Sequence, residues 1–190
     1  MPIYKVLLTT VLALILGVAS ASAAVFQVVS IRDGDTLTIS TGEKVRFLQI
    51  DTPEISPAEC YGAEARKALV DIIGKSPITL ESDSVSDDMD QYGRILRYVK
   101  IGKVNVNLKL VEIGAATPFF FKGERGKYSV KLFKAAQNAK AKKIGLWKLC
   151  PNTKLDTSKL ADTGPVPSKL TSTPKSNNKC DPNYQGCIPP

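Results

Sequence analysis

The sequence predicts a mainly β domain with helices packed on its outside (α+β), a small barrel rather than a layered parallel sheet. Three observations carry that expectation. Four or five strand signals crowd the first half of the chain, and helices are interspersed without the regular alternation of a doubly wound sheet. The core-forming pattern then stops near Pro151. Barrel closure itself leaves no mark in a linear pattern.

Residues 1–24 stand apart from the domain. Lys5 precedes an apolar run and the small-residue stretch ASASAA, with Ala-x-Ala sites ending at Ala21 or Ala23. That is the layout of a secretory signal peptide. Residues 6–24 are also long enough to span a bilayer, so a retained anchor is the competing reading.

The elements follow in order. Residues 25–32 and 36–40 read as strands around an Asp33-Gly34-Asp35 turn, and residues 43–51 follow a Thr41-Gly42 corner. Residues 77–82 and 94–106 are further strands, the last bending at Gly102-Lys103 as a hairpin. Ser56-Pro57-Ala58-Glu59 matches a capping box with proline at the first helical position, and Gly74 stops that helix. Ala65, Leu69 and Ile72 would form its buried stripe. A second helix spans about Asn105 to Ile113, before Gly114. A third runs from about Lys127 to Lys143, with Leu132, Phe133, Ala136 and Ala139 inward. Beyond Pro151 the chain is rich in Ser, Thr, Pro, Asn and Lys. The expected organisation is therefore a domain over 25–150, a flexible linker over 151–179 and a terminal cysteine loop over 180–190.

Composition narrows the chemistry. The formal charge of +8 becomes +7 once Lys5 is removed, which favours polyanionic partners. The sequence contains no histidine, so a Ser-His-Asp triad, a Cys-His pair and every histidine-based nuclease scheme are excluded. Four cysteines in an exported chain point to disulfides, with three connectivities open. Local closure of Cys180 with Cys187 is favoured, leaving Cys60 with Cys150.

Three clusters then carry the chemistry: Asp33 and Asp35; Arg46, Asp51, Thr52 and Glu54; and Arg94 in DQYGRILRY. Asp35 and Asp51 are hard oxygen donors that, with a backbone carbonyl and waters, suit Ca²⁺. Arg46 and Arg94 present planar forks suited to phosphate oxygens. Glu54, expected to lie near the positive end of a helix and to stay ionised there, could deprotonate water. Arg46 and Asp51 would face opposite sides of a regular strand, so an irregularity is expected between Leu48 and Thr52. Singly, each residue is as readily a turn or surface residue. Lys127, Lys131 and Lys134 share a helical face that could follow a nucleic-acid backbone or simply be solvated.

In combination, DGDT, VRFLQIDTPE and DQYGR closely resemble the thermonuclease (staphylococcal-nuclease-like) family of secreted nucleases, and VNLKLVEIGAA and AKAKKIGLW match in order. The resemblance covers about residues 25–150. It implies an OB-fold, a five-stranded barrel with about three helices, and cleavage of DNA and RNA to 3′-phosphate products. It implies Ca²⁺ held by Asp35, Asp51 and the carbonyl of Thr52, with Arg46, Glu54 and Arg94 catalytic and Tyr92 beside the substrate nucleotide. Where the family pattern carries tyrosines, this chain has PFFFKG, which makes Phe120 the candidate for stacking on a base. A secreted monomer with no stable protein partner and no membrane attachment after cleavage completes the expectation. The alternative is a non-catalytic module binding single strands, which would have no need of Arg46, Glu54 and Arg94 together.

Overall fold

The computed structural model describes residues 24–166. The expected signal segment, the second part of the expected linker (167–179) and the expected Cys180–Cys187 pair fall outside the described residues.

Among the described residues there are nine strands. They are β1 (Val25–Phe26), β2 (Val28–Ile31), β3 (Thr36–Ile39), β4 (Lys44–Phe47), β5 (Ile50–Asp51), β6 (Ile78–Glu81), β7 (Ile95–Ile101), β8 (Val104–Asn105) and β9 (Thr117–Pro118). The main sheet runs β1-β6-β7-β4-β3-β2, with β8 on β7; β5 and β9 make a separate pair. β1 and β2 are one stretch of chain interrupted only at Gln27, yet they pair at opposite ends of the sheet. That shared first strand closes the sheet into a five-stranded barrel of the OB type, with the parallel β4·β7 contact opposite it. Closure removes the free edges an open sheet would expose.

Among the described residues four α-helices pack outside: α1 (Gly62–Ile73), α2 (Val106–Glu112), α3 (Ser129–Ala141) and the single turn α4 (Leu146–Leu149). Leu37, Val45, Phe47, Ile50, Leu69, Leu110, Leu132 and Leu146 are all fully buried in one core. Alternation on β3 and β4 sends Leu37, Val45 and Phe47 into it. Asn105 caps α2 by accepting from the Leu108 N–H at 2.9 Å, and the hairpin at Gly102-Lys103 forms as its sequence suggests.

Three expectations are corrected. The first helix does not start at the Ser56 box. Residues 55–58 are a turn with a cis Ser56–Pro57 bond, and the helix begins at Gly62 after Tyr61 in a left-handed conformation. Gly62 is required there, because a Cβ would lie 2.3 Å from the Glu54 carbonyl oxygen. The helix buries Ala65, Leu69 and Ile73, with Ile72 only partly covered. Phe133 points outward from α3 at 36% exposure, while Leu132, Ala136 and Ala139 are buried as expected.

The third correction concerns the linker. Residues 151–166 lie against the domain as a strap, with Thr153, Ala161 and Thr163 buried. The Thr157 carbonyl accepts from the Phe120 N–H at 2.7 Å, and the Gly164 carbonyl accepts from the Cys60 N–H at 2.8 Å. Composition failed as a guide because these contacts are made by main chain, which any side chain permits. Cys60 is also bonded to Cys150, with Cα atoms 5.9 Å apart, tying the approach to α1 to the end of α4.

Candidate active site

The site grows from one broken strand. β4 stops at Phe47, and Leu48-Gln49 form a turn in which Gln49 takes φ +60°, before β5 resumes at Ile50. A non-glycine residue there costs roughly 1–2 kcal/mol. The surroundings offset that cost. The Gln49 side chain accepts from the Tyr98 hydroxyl at 2.9 Å and donates to the Glu124 carbonyl at 3.2 Å. Buried Asn107 accepts from the Val99 N–H and donates to the Leu48 carbonyl, both at 2.9 Å. The expected irregularity between Leu48 and Thr52 is therefore this turn, and it lets Arg46 and Asp51 meet.

Arg46 is the hub. Its Nη1 donates to the carbonyls of Phe47 and Ile50, each at 2.7 Å, so the guanidinium holds its own turn together. Nη2 donates to Asp51 Oδ1 at 2.6 Å, and Nε lies 3.2 Å from Asp35 Oδ1. Asp35 comes from the other side, at the end of the Asp33-Gly34-Asp35 turn. Asp33 Oδ1 accepts from the Asp35 N–H at 3.1 Å, so Asp33 shapes the bend. Gly34 is needed because a Cβ would come within 2.8 Å of the Thr52 side chain. Asp35 Oδ2 accepts from the Thr52 N–H at 2.8 Å and its hydroxyl at 3.0 Å. Asp35 thus contacts Thr52 directly and is linked to Asp51 through Arg46, in one buried cluster.

Arg94 reaches the same cluster. Its Nη1 lies 3.5 Å from Thr36 Oγ1, whose hydroxyl donates to Asp35 Oδ1 at 3.1 Å. The Arg94 side chain is held from behind by Asp90, with Nε to Oδ2 at 2.7 Å. Tyr92 is 74% exposed, with the Arg94 guanidinium 5.5 Å from its ring centre. Glu54 is exposed at the rim, and its N–H donates to Glu59 Oε2 at 2.9 Å.

Too many carboxylates surround one buried cation. Burial pushes Asp51 up to about 7, with Asp35 adding to the rise and Arg46 opposing it. Burial and Asp35 push Asp33 up to about 6. Burial acts against the Arg46 charge, but Asp35, Asp51, Asp33 and Glu54 outweigh it and raise its pKa. Glu54 is also raised, by burial first and then by Asp35 and Glu59, with Arg46 opposing the rise. A second positive charge would relieve this excess, and the donors facing it are hard oxygens. Among the described residues no group of three acidic, histidine or cysteine side chains is gathered as a metal cluster. Asp35 and Asp51, both ion-paired with Arg46, are the two carboxylates that could hold such an ion.

Two expected residues behave differently. Phe120 is 2% exposed and packed in the core, with Arg125 over its ring at 4.7 Å, so its face is not open to a base. The exposed ring of that run is Phe121. On the α3 face, Lys127 is paired with Glu81, whereas Lys131 and Lys134 line a shallow groove with Lys142. Sequence reading missed Thr36, Asp90, Asn107 and the Ala161 N–H, which donates to Asp51 Oδ2 at 2.7 Å. Asp90 alone had a local signal, since it accepts from the Tyr92 and Arg94 N–H groups of its own turn.

The comparisons with known proteins bear on the family of the chain. The model of the staphylococcal nuclease homologue family matches residues 44–149. The chain is 35% identical over 149 residues to an uncharacterized endonuclease of Haemophilus influenzae, covering 75% of this chain and 78% of that one. It is 30% identical over 138 residues to the thermonuclease of Staphylococcus hyicus, covering 69% and 80%. It is 34% identical over 122 residues to the SPbeta prophage-derived endonuclease YokF of Bacillus subtilis, covering 60% of this chain and 41% of that one. A barrel of the OB type, a centre built on a broken strand and relatives named as nucleases lead to one assignment: this chain belongs to the staphylococcal nuclease homologue family and is a nuclease acting on nucleic acid.

Proposed function

We propose that this protein is a secreted, calcium-dependent endonuclease that hydrolyses phosphodiester bonds of both DNA and RNA and leaves 3′-phosphate ends. The observation that carries this reading is the continuous run of contacts Arg94–Thr36–Asp35–Arg46–Asp51, with Glu54 at its exposed rim. Asp35, Asp51 and the Thr52 carbonyl would hold Ca²⁺, whose bound charge would polarise the phosphate.

The chain's own residues do the rest. Glu54 is open to solvent and its raised pKa makes it a better proton acceptor than an ordinary carboxylate, so it takes the proton of the attacking water. Arg94 approaches from the opposite bank, on a turn that leaves its guanidinium partly exposed, and stabilises charge as the phosphate becomes five-coordinate. Arg46 has both Nη1 hydrogens committed to carbonyls and one Nη2 hydrogen to Asp51, so it contributes fixed positive charge and at most one further Nη2 donor. Tyr92, beside Arg94, lines the approach to the nucleotide, and the exposed Phe121 takes the stacking role that burial denies Phe120. The N-terminal segment directs export, the mature chain acts as a monomer, and the basic charge draws in the polyanion.

Digestion of single- and double-stranded DNA and of RNA tests the reading. Products should appear with Ca²⁺, vanish with chelator, and fall roughly a hundredfold or more with Glu54→Gln. Cleavage indifferent to both chelator and Glu54→Gln would reject this mechanism.

A further inference from the structure

The strap over residues 151–166 returns to the centre it leaves. It starts at Cys150, disulfide-bonded to Cys60, and comes back to Cys60 through the Gly164 carbonyl. Between those points the Ala161 N–H donates to Asp51 Oδ2 at 2.7 Å, across 110 residues of sequence and in a buried setting. The other oxygen, Oδ1, is the one on Arg46. Beyond Gly164, Pro165 bridges Glu59, and Glu59 Oε2 holds the Glu54 N–H. One short segment therefore touches Asp51 directly and Glu54 through a single intermediary.

We propose that this strap is a built part of the catalytic centre and that Ala161 is a positioning residue, its main-chain N–H fixing the Asp51 carboxylate so that Oδ1 is turned toward Arg46. The inference rests on the reading of Asp51 as a cation ligand. Without the strap, Asp51 would have one oxygen tied and the other free to rotate or recruit water, and a carboxylate so placed is a poorer ligand. A partner that orients a ligand from behind typically changes metal affinity by roughly 10- to 100-fold. A main-chain donor is an economical choice, because it is insensitive to which side chain occupies position 161. The Cys60–Cys150 bond and the Thr157 and Gly164 carbonyls keep that donor in place from both sides.

The test removes the donor from the full chain. Ala161→Pro has no N–H, whereas Ala161→Ser keeps it. Titration with Ca²⁺ alone, followed calorimetrically without substrate, should show affinity lowered roughly 10- to 100-fold in A161P and restored in A161S. Urea unfolding checks that both variants are folded. Hydrogen exchange at the Ala161 amide gives a second reading that does not depend on A161P folding: it should be protected in the wild type and lose that protection in Asp51→Ala. A wild-type Ala161 amide exchanging at an unprotected rate, or a folded A161P binding Ca²⁺ like the wild type, would overturn the proposal. Failure of the wild type itself to bind Ca²⁺ would instead reject the cation reading. The kcat of A161P then decides the strap: a fall supports it and an unchanged value rejects it.

Discussion

The two arginines that the sequence nominates are held in opposite ways. Arg46 sits inside the barrel wall at 12% side-chain exposure, gripped by two carbonyls and two carboxylates. Arg94 is at 26% exposure just after a short turn, with Asp90 as its charged partner among the described residues and Thr36 at the limit of hydrogen bonding. Arg46 is therefore as much a folding residue as a catalytic one, because the turn that delivers Asp51 closes around it. Arg94 is free of that duty. A group that waits for substrate on an exposed turn keeps its hydrogen-bonding capacity, whereas one that neutralises buried acids has spent most of it.

Substitution separates these roles. The largest effect belongs to Arg46. Arg46→Lys offers a single ammonium where four acceptors converge, and kcat should fall roughly a hundred- to a thousandfold. Arg46→Ala should in addition lose roughly 3–5 kcal/mol in urea unfolding, because two buried carboxylates are left unpaired. Near-full activity in the lysine variant would show that the planar fork is dispensable.

Arg94 sharpens the contrast. Arg94→Lys should lower kcat by roughly a hundredfold, as for loss of one preorganised donor, with the urea midpoint close to that of the wild type. A stability loss matching that of Arg46→Ala would erase the distinction.

The smallest effect should come from Asp90. Asp90→Asn keeps an acceptor for the Tyr92 and Arg94 N–H groups but weakens the charged bond to Arg94 Nε, so kcat should drop about tenfold. Its pH behaviour has a definite sign. Burial tends to raise the Asp90 carboxyl, but the Arg94 backbone and side-chain bonds outweigh it and hold the carboxyl below its ordinary 3.8. A depressed folded-state pKa contributes stability above 3.8 that is lost as pH falls through the folded value. The stability gap between wild type and Asp90→Asn should therefore be open at pH 7 and close as the solution is acidified below 3.8. A gap that widens in acid would contradict the pairing.

Much of this was legible because it is local. The hairpin at Gly102-Lys103, the α2 cap at Asn105 and the Asp33 turn each depend on residues within a few positions of one another. The break after Phe47 could also be inferred, since a separation of five positions points Arg46 and Asp51 to opposite faces of one unbroken strand. The first helix was misplaced for the opposite reason. The Ser56 box has the local chemistry of a helix start, but the close approach of Gly62 to the Glu54 carbonyl sets where the helix can begin. Phe120 and Phe133 exchanged the expected inside and outside because burial depends on neighbours far away in sequence.

By itself the sequence determined the chemical inventory: no histidine, two aspartates and a glutamate near the broken strand, two arginines to face them, and strand and turn signals that could be assembled in few ways. Only the tertiary structure decided that β1 and β2 close the barrel, that Thr36 links Arg94 to Asp35, and that a Ser- and Pro-rich tail returns to hold Asp51. Side-chain chemistry is written in residue identity, whereas main-chain hydrogen bonds between distant segments are available to almost any residue. They leave no compositional trace until the fold brings donor and acceptor together.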